Sequence, residues 1–239
     1  MKYCLYFSFL LICTSINAQT NSPVKASKVK SFFSPKLTGE SFIEKKGYKG
    51  EQFFNKDWQE SDILLSTGEE IHGEKLKYNG LLDEIIWVNT SSYRQFKVDK
   101  SIISDFWLKN GTGNTSHFKR INISDQKNIH ISDIFAEVGV EGKVSLFIQR
   151  RIIIVGEENV YLNGVLYVRE SIGPKPLYYI KTPSNHYLIL SRIRKNAFLN
   201  LFPEHKKEIA KKIKENHLNL KTESDLVQLI EMLNKEVFK

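Results

Sequence analysis

Acidic side chains are the first residues of this chain whose type and spacing could do chemistry. Three adjacent pairs occur, Glu69-Glu70, Asp83-Glu84 and Glu157-Glu158. Two carboxylates that flank a glycosidic bond at the right separation can share the acid and base roles of its hydrolysis. Adjacent residues of a strand point to opposite faces, however, and turn residues are exposed to water. The spacing therefore favours solvated turn residues over a catalytic pair.

Histidines and nucleophiles give no clearer pattern. Two imidazoles reach one metal ion when they stand four residues apart on a helix or close together in a short loop. None of the histidines has such a neighbour, and no Gly-x-Ser-x-Gly elbow or phosphate-binding glycine loop is present. The sequence therefore predicts no catalytic residue, no metal ligand and no cofactor. The histidines are His72, His117, His130, His186, His205 and His217.

Three lysines form the clearest charged pattern. Lys207, Lys211 and Lys214 stand at i, i+4 and i+7, so a helix would present them as one basic stripe. Such a stripe can bind anionic polymer or lipid headgroups. Glu208 and Glu215 each stand four residues from a lysine of the same segment, which is also typical of an ordinary solvated helix. Both interpretations stay open.

Short apolar runs at regular spacing predict the elements that would position these residues. About ten short strands are expected between residues 50 and 190, and their close spacing requires antiparallel pairing. Asn163-Gly164 separates two apolar runs and suits a type I′ hairpin turn. Glu141-Gly142-Lys143 predicts a second hairpin, and Gly73 stands where a bulge would restore the alternation of its strand.

The apolar period changes to that of helices after Leu190. Residues 191–239 therefore predict a unit of two to three helices that packs on the strands. Thr222 and Asp225 fit the capping box of the last helix. We thus expect an α+β fold, with an antiparallel β-region at 50–190 and a C-terminal helical unit at 191–239. The face of the last helix that needs a packing partner consists of Leu226, Leu229, Ile230, Leu233 and Val237.

The first residues have the three parts of a secretory signal peptide. Lys2 precedes an apolar run that is shorter than the roughly 20 residues of a membrane span, and small polar residues follow it. We expect cleavage between Ala18 and Gln19, which makes residues 1–18 the signal peptide. Both cysteines, Cys4 and Cys13, lie in that part, so the mature chain would contain no cysteine. The polar composition of residues 19–49 predicts a flexible leader.

The charge of the chain bears on its partners. With 35 Lys+Arg and 27 Asp+Glu, the formal net charge is +8, which favours acidic partners. Export argues against nucleic acid as that partner. The sequence after the signal peptide contains no apolar run long enough for a transmembrane segment.

Three segments carry a resemblance to known sequences. They are Asp62 through Gly68 with Lys77-Tyr78-Asn79-Gly80, then Pro174 through Tyr179, then Leu201-Phe202-Pro203-Glu204 through Leu226. In these segments the chain resembles a group of uncharacterised exported proteins common in Bacteroidota. The resemblance implies export to the periplasm or the medium and a shared fold, and it implies no activity.

These observations leave three functional hypotheses. The first is a non-enzymatic, exported module that binds a protein or polymer of the cell envelope. The second is an envelope hydrolase whose carboxylates or histidines converge only in the fold. The third is adhesion to anionic surfaces through Lys207, Lys211 and Lys214.

Overall fold

The computed structural model describes residues 37–44, 47–124 and 131–238. The expected signal peptide, its cleavage site at Ala18 and Gln19, and the first part of the expected leader lie outside these residues. Within these ranges, no helix has the length and apolar character needed to cross a membrane.

The described ranges contain thirteen strands, three α-helices and one short 3₁₀ turn at Lys100–Ile102. The helices are α1 (Lys195–Leu201), α2 (Lys206–Glu215) and α3 (Glu223–Glu236). The strands are β1 (Gly39–Ser41), β2 (Gln59–Leu65), β3 (Glu70–Asn79), β4 (Glu84–Val88), β5 (Gln95–Val98), β6 (Ile103–Lys109), β7 (Thr115–Ser124), β8 (Ile131–Val140), β9 (Ser145–Gln149), β10 (Ile152–Leu162), β11 (Val165–Pro174), β12 (Leu177–Lys181) and β13 (Tyr187–Leu190).

Eleven of these strands form one sheet, in the order β1-β5-β4-β3-β2-β6-β7-β8-β9-β12-β13. Every pairing between its strands is antiparallel. Most neighbours in the sheet are also neighbours in sequence, because short connections can join only adjacent antiparallel strands. The expected α+β class, with a large antiparallel β-region followed by helices, is confirmed.

An aromatic core lies against β2, β3, β6, β7 and β8. The rings of Phe106 and Phe118 stack with centroids 4.8 Å apart, and Tyr78 lies 5.0 Å from Phe118. Phe135 meets Phe106 edge to face at 5.2 Å. These four side chains are fully buried, and aromatic pairs of this geometry add to the stabilisation that burial provides. This aromatic cluster stabilises the part of the sheet that these five strands form.

The bulge expected at Gly73 is present. His72 and Gly73 of β3 together stand opposite Asp62 of β2, because the register shifts between Ser61 and Ile63. Gly73 has a φ of 75°, in the left-handed region that glycine adopts without a steric penalty. The extra residue changes which face the following side chains point to. Leu76 and Tyr78 in the second half of β3 are therefore buried in the core.

Part of the segment predicted as a flexible leader belongs to the sheet. Gly39 of β1 pairs with Val98 of β5, and Leu37 is buried in the aromatic core. A Cβ on Gly39 would lie 2.0 Å from the carbonyl oxygen of Lys97, so only glycine permits this approach. The expectation of a leader that extends to residue 49 therefore differs from the structure, because polar composition hides a short edge strand with a single buried anchor.

The helices cover one face of the second half of the sheet. Leu229, Ile230 and Leu233 of α3 are fully buried in a cluster that also contains Ile148 and Ile180 of the sheet. The expected capping box is present, since the Thr222 side chain accepts a hydrogen bond from the Asp225 backbone and the Asp225 side chain accepts one in return. From Leu37 onward the described residues form one compact unit.

Arg150 joins the sheet to α3. Its Nη1 and Nη2 donate to the two carboxylate oxygens of Glu223 at 2.8 and 2.7 Å, and its Nε donates to Glu137 of β8. The Tyr178 hydroxyl donates to Glu223 at 3.3 Å. A guanidinium held by two carboxylates in this way fixes the helix at one position on the sheet.

Candidate functional site

A two-stranded arm leaves the large sheet between two neighbouring strands. β9 and β12 pair directly, with Gln149 opposite Leu177, although the whole β10–β11 hairpin lies between them in sequence. β10 and β11 pair only with each other as a separate sheet. The large sheet is therefore continuous without the hairpin, and we call residues 152–174 the arm.

The turn at the end of the arm is the one that the sequence predicted. Asn163 and Gly164 have φ values of 52° and 80°. Two consecutive residues with positive φ make a type I′ turn, whose twist matches that of the flanking strands. The pairing between the strands is continuous from Leu162–Val165 back to Gly156–Ser171, with one bulge at Val155.

Backbone hydrogen bonds attach the root of the arm to the rest of the molecule. The Ile152 N–H donates to the Gly80 carbonyl at 2.9 Å, and the Ile172 N–H donates to the Lys49 carbonyl at 2.9 Å. Ile152 and Ile172 are both buried. The direction of the arm is therefore set at its root, while its far end stands free of the large sheet.

The end of the arm exposes apolar side chains on both of its faces. Val160 and Tyr167 pair on one face, and Tyr161 and Leu166 pair on the other. We call residues 159–168 the arm tip, and none of these ten residues is charged. Six of the twelve exposed large hydrophobic residues in the described ranges lie in the tip, namely Tyr161, Leu162, Val165, Leu166, Tyr167 and Val168.

Charged residues mark the boundary between the tip and the root. Glu158 accepts hydrogen bonds from Lys49 at 2.7 Å and from Arg169 at 2.9 Å. Lys49 and, to a smaller degree, Arg169 lower the pKa of the Glu158 carboxyl. On the opposite face Glu157 stands directly across from Glu170. Like charges at this spacing repel each other, so a cationic group placed between them would be stabilised.

A groove runs along the arm beside residues 47 and 48. It has a volume of about 660 Å³, and Val160, Leu162 and Tyr167 supply its apolar wall. Glu157, Arg169 and Glu170 lie at its charged end. The groove and the tip together form a surface that is apolar at one end and charged at the other.

The predicted lysine stripe is present on α2. Lys207, Lys211 and Lys214 are all exposed on α2. Lys211 lies 3.7 Å from Glu215, which is one of the i, i+4 pairs expected from the sequence. These three lysines are far in sequence from the arm, and none of them lines the groove beside it.

The acidic pairs do not come together as a catalytic site in the described residues. Asp83 lies in a turn, as expected, but it is largely buried, and its carboxylate accepts hydrogen bonds from the Tyr78 hydroxyl at 2.7 Å and from Lys100 at 2.6 Å. Burial raises the pKa of Asp83, although Lys100 opposes that effect. Glu157 and Glu158 lie in a strand and not in a turn. The Asp83 carboxylate also accepts a hydrogen bond from the Phe135 N–H of β8 at 3.2 Å, which holds the turn against that strand.

One cluster has the residue types of a hydrolytic triad in the wrong order. Ser104 Oγ lies 2.5 Å from Asp105, and the other oxygen of Asp105 lies 2.8 Å from His117 Nε2. In a triad the imidazole stands between the hydroxyl and the carboxylate, so that it can accept the hydroxyl proton. Here the carboxylate stands between them, and the His117 ring stacks on Trp107 at 4.6 Å. The cluster therefore supports the sheet and gives no nucleophile.

Two further histidines lie close to carboxylates at the surface. His72 lies 3.2 Å from Asp62 and 3.3 Å from Glu70. His205 lies 3.6 Å from Glu208. Over the part of the chain that the structure describes, no group of three or more His, Cys, Asp and Glu side chains has the geometry to hold a metal ion.

Sequence reasoning found the hairpin of the arm but missed that it stands apart from the sheet. A strand with one solvated face alternates apolar and polar residues, whereas Val165-Leu166-Tyr167-Val168 is apolar without interruption. That run indicates burial on both faces, and the structure places it where neither face is covered. A continuous apolar run beside a type I′ turn was the signal that could have identified the arm.

Comparison with known proteins adds no further assignment: no protein-family model matches the chain, and no curated protein or solved structure is significantly similar to it.

Proposed function

We propose that this chain is an exported, non-enzymatic binding protein whose arm tip enters an apolar cleft of a protein of the cell envelope. The observation that carries the proposal is the exposure of apolar side chains on both faces of the tip. Export is supported by the three-part pattern of residues 1–18, and the binding role by the arm.

The size of the tip supports a specific interaction. Its six exposed hydrophobic side chains are between 51% and 72% exposed. At about 100 Å² of exposed area each, they present roughly 600 Å² in total, divided between the two faces of the arm, whereas the largest apolar patch on a typical monomer is about 300–600 Å². Burying that area would contribute roughly 15 kcal/mol before the costs of association, which are about 4–15 kcal/mol. Burial of the tip is therefore comparable in size with the cost of association, and the tip can be the main contributor to binding.

A protein cleft fits the tip better than a lipid surface does. Both outer edges of a two-stranded ribbon carry backbone N–H and C=O groups, which lipid cannot satisfy and a polar cleft wall can. The facing carboxylates of Glu157 and Glu170 would also be repelled by anionic headgroups. The same carboxylates complement a cleft whose entrance carries lysine or arginine side chains.

Site-specific photocrosslinking in the source cells tests this proposal. A photoreactive amino acid at position 166 should form one discrete adduct with an envelope protein, which mass spectrometry identifies. The matched control carries the same amino acid at position 93, since Tyr93 is 82% exposed and belongs to the β4–β5 turn and not to the arm. The control should form no such adduct.

Titration with the identified partner decides whether the tip is the binding element. Leu166→Ser should weaken binding at least about tenfold, because it removes an apolar side chain that is buried in the complex. Tyr93→Ser should leave binding unchanged. The charge-reversed Glu157→Lys variant should weaken binding less at high salt than at low salt. Equal adducts at both positions, or adducts only with a second copy of this chain, would overturn the proposal. A cytoplasmic chain that retains Met1 would overturn export.

A further inference from the structure

A second concave site lies at the root of the arm, away from the tip. Its volume is about 370 Å³, within the range of small-molecule sites. It opens between the start of β10, the end of β11 and residues 51–54. Apolar side chains make most of its wall, namely Phe53, Phe54, Ile152, Ile172, Pro174 and Pro176.

Arg151 gives this apolar pocket a cationic group. It lines the pocket, and its Nε is buried without a hydrogen-bond acceptor anywhere in the described residues. A buried donor without an acceptor destabilises the fold, and the effect is larger when the group is charged. The neighbouring Arg150, in contrast, donates hydrogen bonds from Nε to Glu137 and from Nη1 and Nη2 to Glu223.

The other charged groups of the pocket are already engaged. Arg150 is held by two carboxylates, and Glu51 Oε1 accepts a hydrogen bond from the Phe53 N–H at 3.0 Å. Arg151 is thus the lining cation whose Nε has no acceptor in the described residues. A planar guanidinium in this state matches a carboxylate, which accepts two parallel hydrogen bonds from it.

We propose that this pocket binds a small apolar molecule that ends in a carboxylate, with the carboxylate on Arg151 and the apolar part against Phe53, Phe54 and Pro176. At roughly 30 Å³ for each non-hydrogen atom, about twelve atoms fill the pocket, which is the size of a ten-carbon fatty acid. The same chemistry is offered by the last residues of an apolar peptide with a free C-terminus. This site is independent of the tip and of what the tip binds.

Calorimetric titration of the full chain tests the proposal, and it uses decanoate below its micelle concentration as the probe. Decanoate should bind, and decan-1-ol, which has the same chain without the charge, should bind at least about tenfold more weakly. Acetyl-Leu-Phe with a free carboxylate and its C-terminal amide form the second pair. Tighter binding of decanoate than of the peptide acid identifies a fatty acid as the ligand, and the reverse order identifies a peptide.

Variants locate the binding. Arg151→Met should weaken decanoate binding at least about tenfold, because it keeps the volume of the side chain and removes its donors. Arg192→Met removes an exposed arginine that does not line the pocket, and it should bind as the wild type does. Leu166→Ser in the arm tip should also leave decanoate binding unchanged.

Three outcomes would overturn the assignment. They are equal binding of decanoate and decan-1-ol with equal binding of the two peptides, unchanged binding by Arg151→Met, or loss of binding by Leu166→Ser. The comparison of acid with alcohol needs no variant, so it decides the question even if Arg151→Met does not fold. Failure of this site would leave the tip and its partner unaffected, and the reverse also holds.

Discussion

Asp105 shows how a buried carboxylate is kept charged in the sheet. Burial raises the pKa of this carboxyl, but hydrogen bonds from His117 and Ser104 and the nearby charge of Lys119 outweigh burial, so that the pKa is lowered. A lowered pKa in the folded state means that the charged carboxylate stabilises the fold. That stabilisation is fully present above the unfolded-state pKa of about 3.9 and is lost as the pH falls through the lower, folded-state pKa.

We expect Asp105→Asn to be less stable than the wild type at pH 7 and to approach it in stability below about pH 4. The reason is that acid removes the same charge from the wild type that the substitution has already removed. Urea unfolding at pH 7, 5, 4 and 3 measures the difference in unfolding free energy. A difference that stays constant across this range would show that the charge of Asp105 does not stabilise the fold.

The last helix, α3, is held by hydrogen bonds near both of its ends. Thr222 and Asp225 cap α3 reciprocally, and Asn234 near its other end bonds both the N–H and the carbonyl of Val144 at 2.8 and 2.7 Å. Gly142 permits this contact, since a Cβ there would lie 2.5 Å from the Asn234 amide. The sequence identified the cap, but only the fold brought residues 144 and 234 together.

Thr222→Ala should lower the free energy of unfolding by about 1 kcal/mol, because the first turn of α3 loses the hydrogen bond to the Asp225 N–H. The matched control is Thr90→Ala, which removes the same atoms from an exposed turn residue. Chemical denaturation followed by circular dichroism measures both. An equal effect of the two substitutions would contradict the stabilising role of the cap.

The arm behaves in the fold as an insertion into a complete sheet. β9 and β12 pair over five residues without it, and they lie over the helices in the same buried cluster. The stability of the molecule should therefore depend on the root of the arm and little on its tip. Loops of different length at a surface change the free energy of folding only slightly, because the closure entropy grows slowly with length.

Replacing Glu158 through Arg169 with Asn-Gly shortens the arm and keeps the buried root residues Ile152 and Ile172. The shortened protein should unfold within about 3 °C of the wild type, since it loses exposed side chains and no core contact. Its tendency to associate at high concentration should fall. Calorimetry and sedimentation velocity measure the two effects. A large drop in the unfolding temperature would mean that the tip contributes to the core.

The sequence alone determined what depends on neighbouring residues. The strands, the type I′ turn at Asn163-Gly164, the bulge at Gly73 and the capping box at Thr222 all follow from local backbone chemistry and side-chain period. The tertiary structure decided what depends on distant residues. It placed β1 in the sheet through one buried anchor, left the arm tip uncovered on both faces, and left Arg151 without an acceptor in an apolar pocket. A local pattern shows that a run of residues is apolar, but whether anything covers that run is decided by which strands happen to pair beside it.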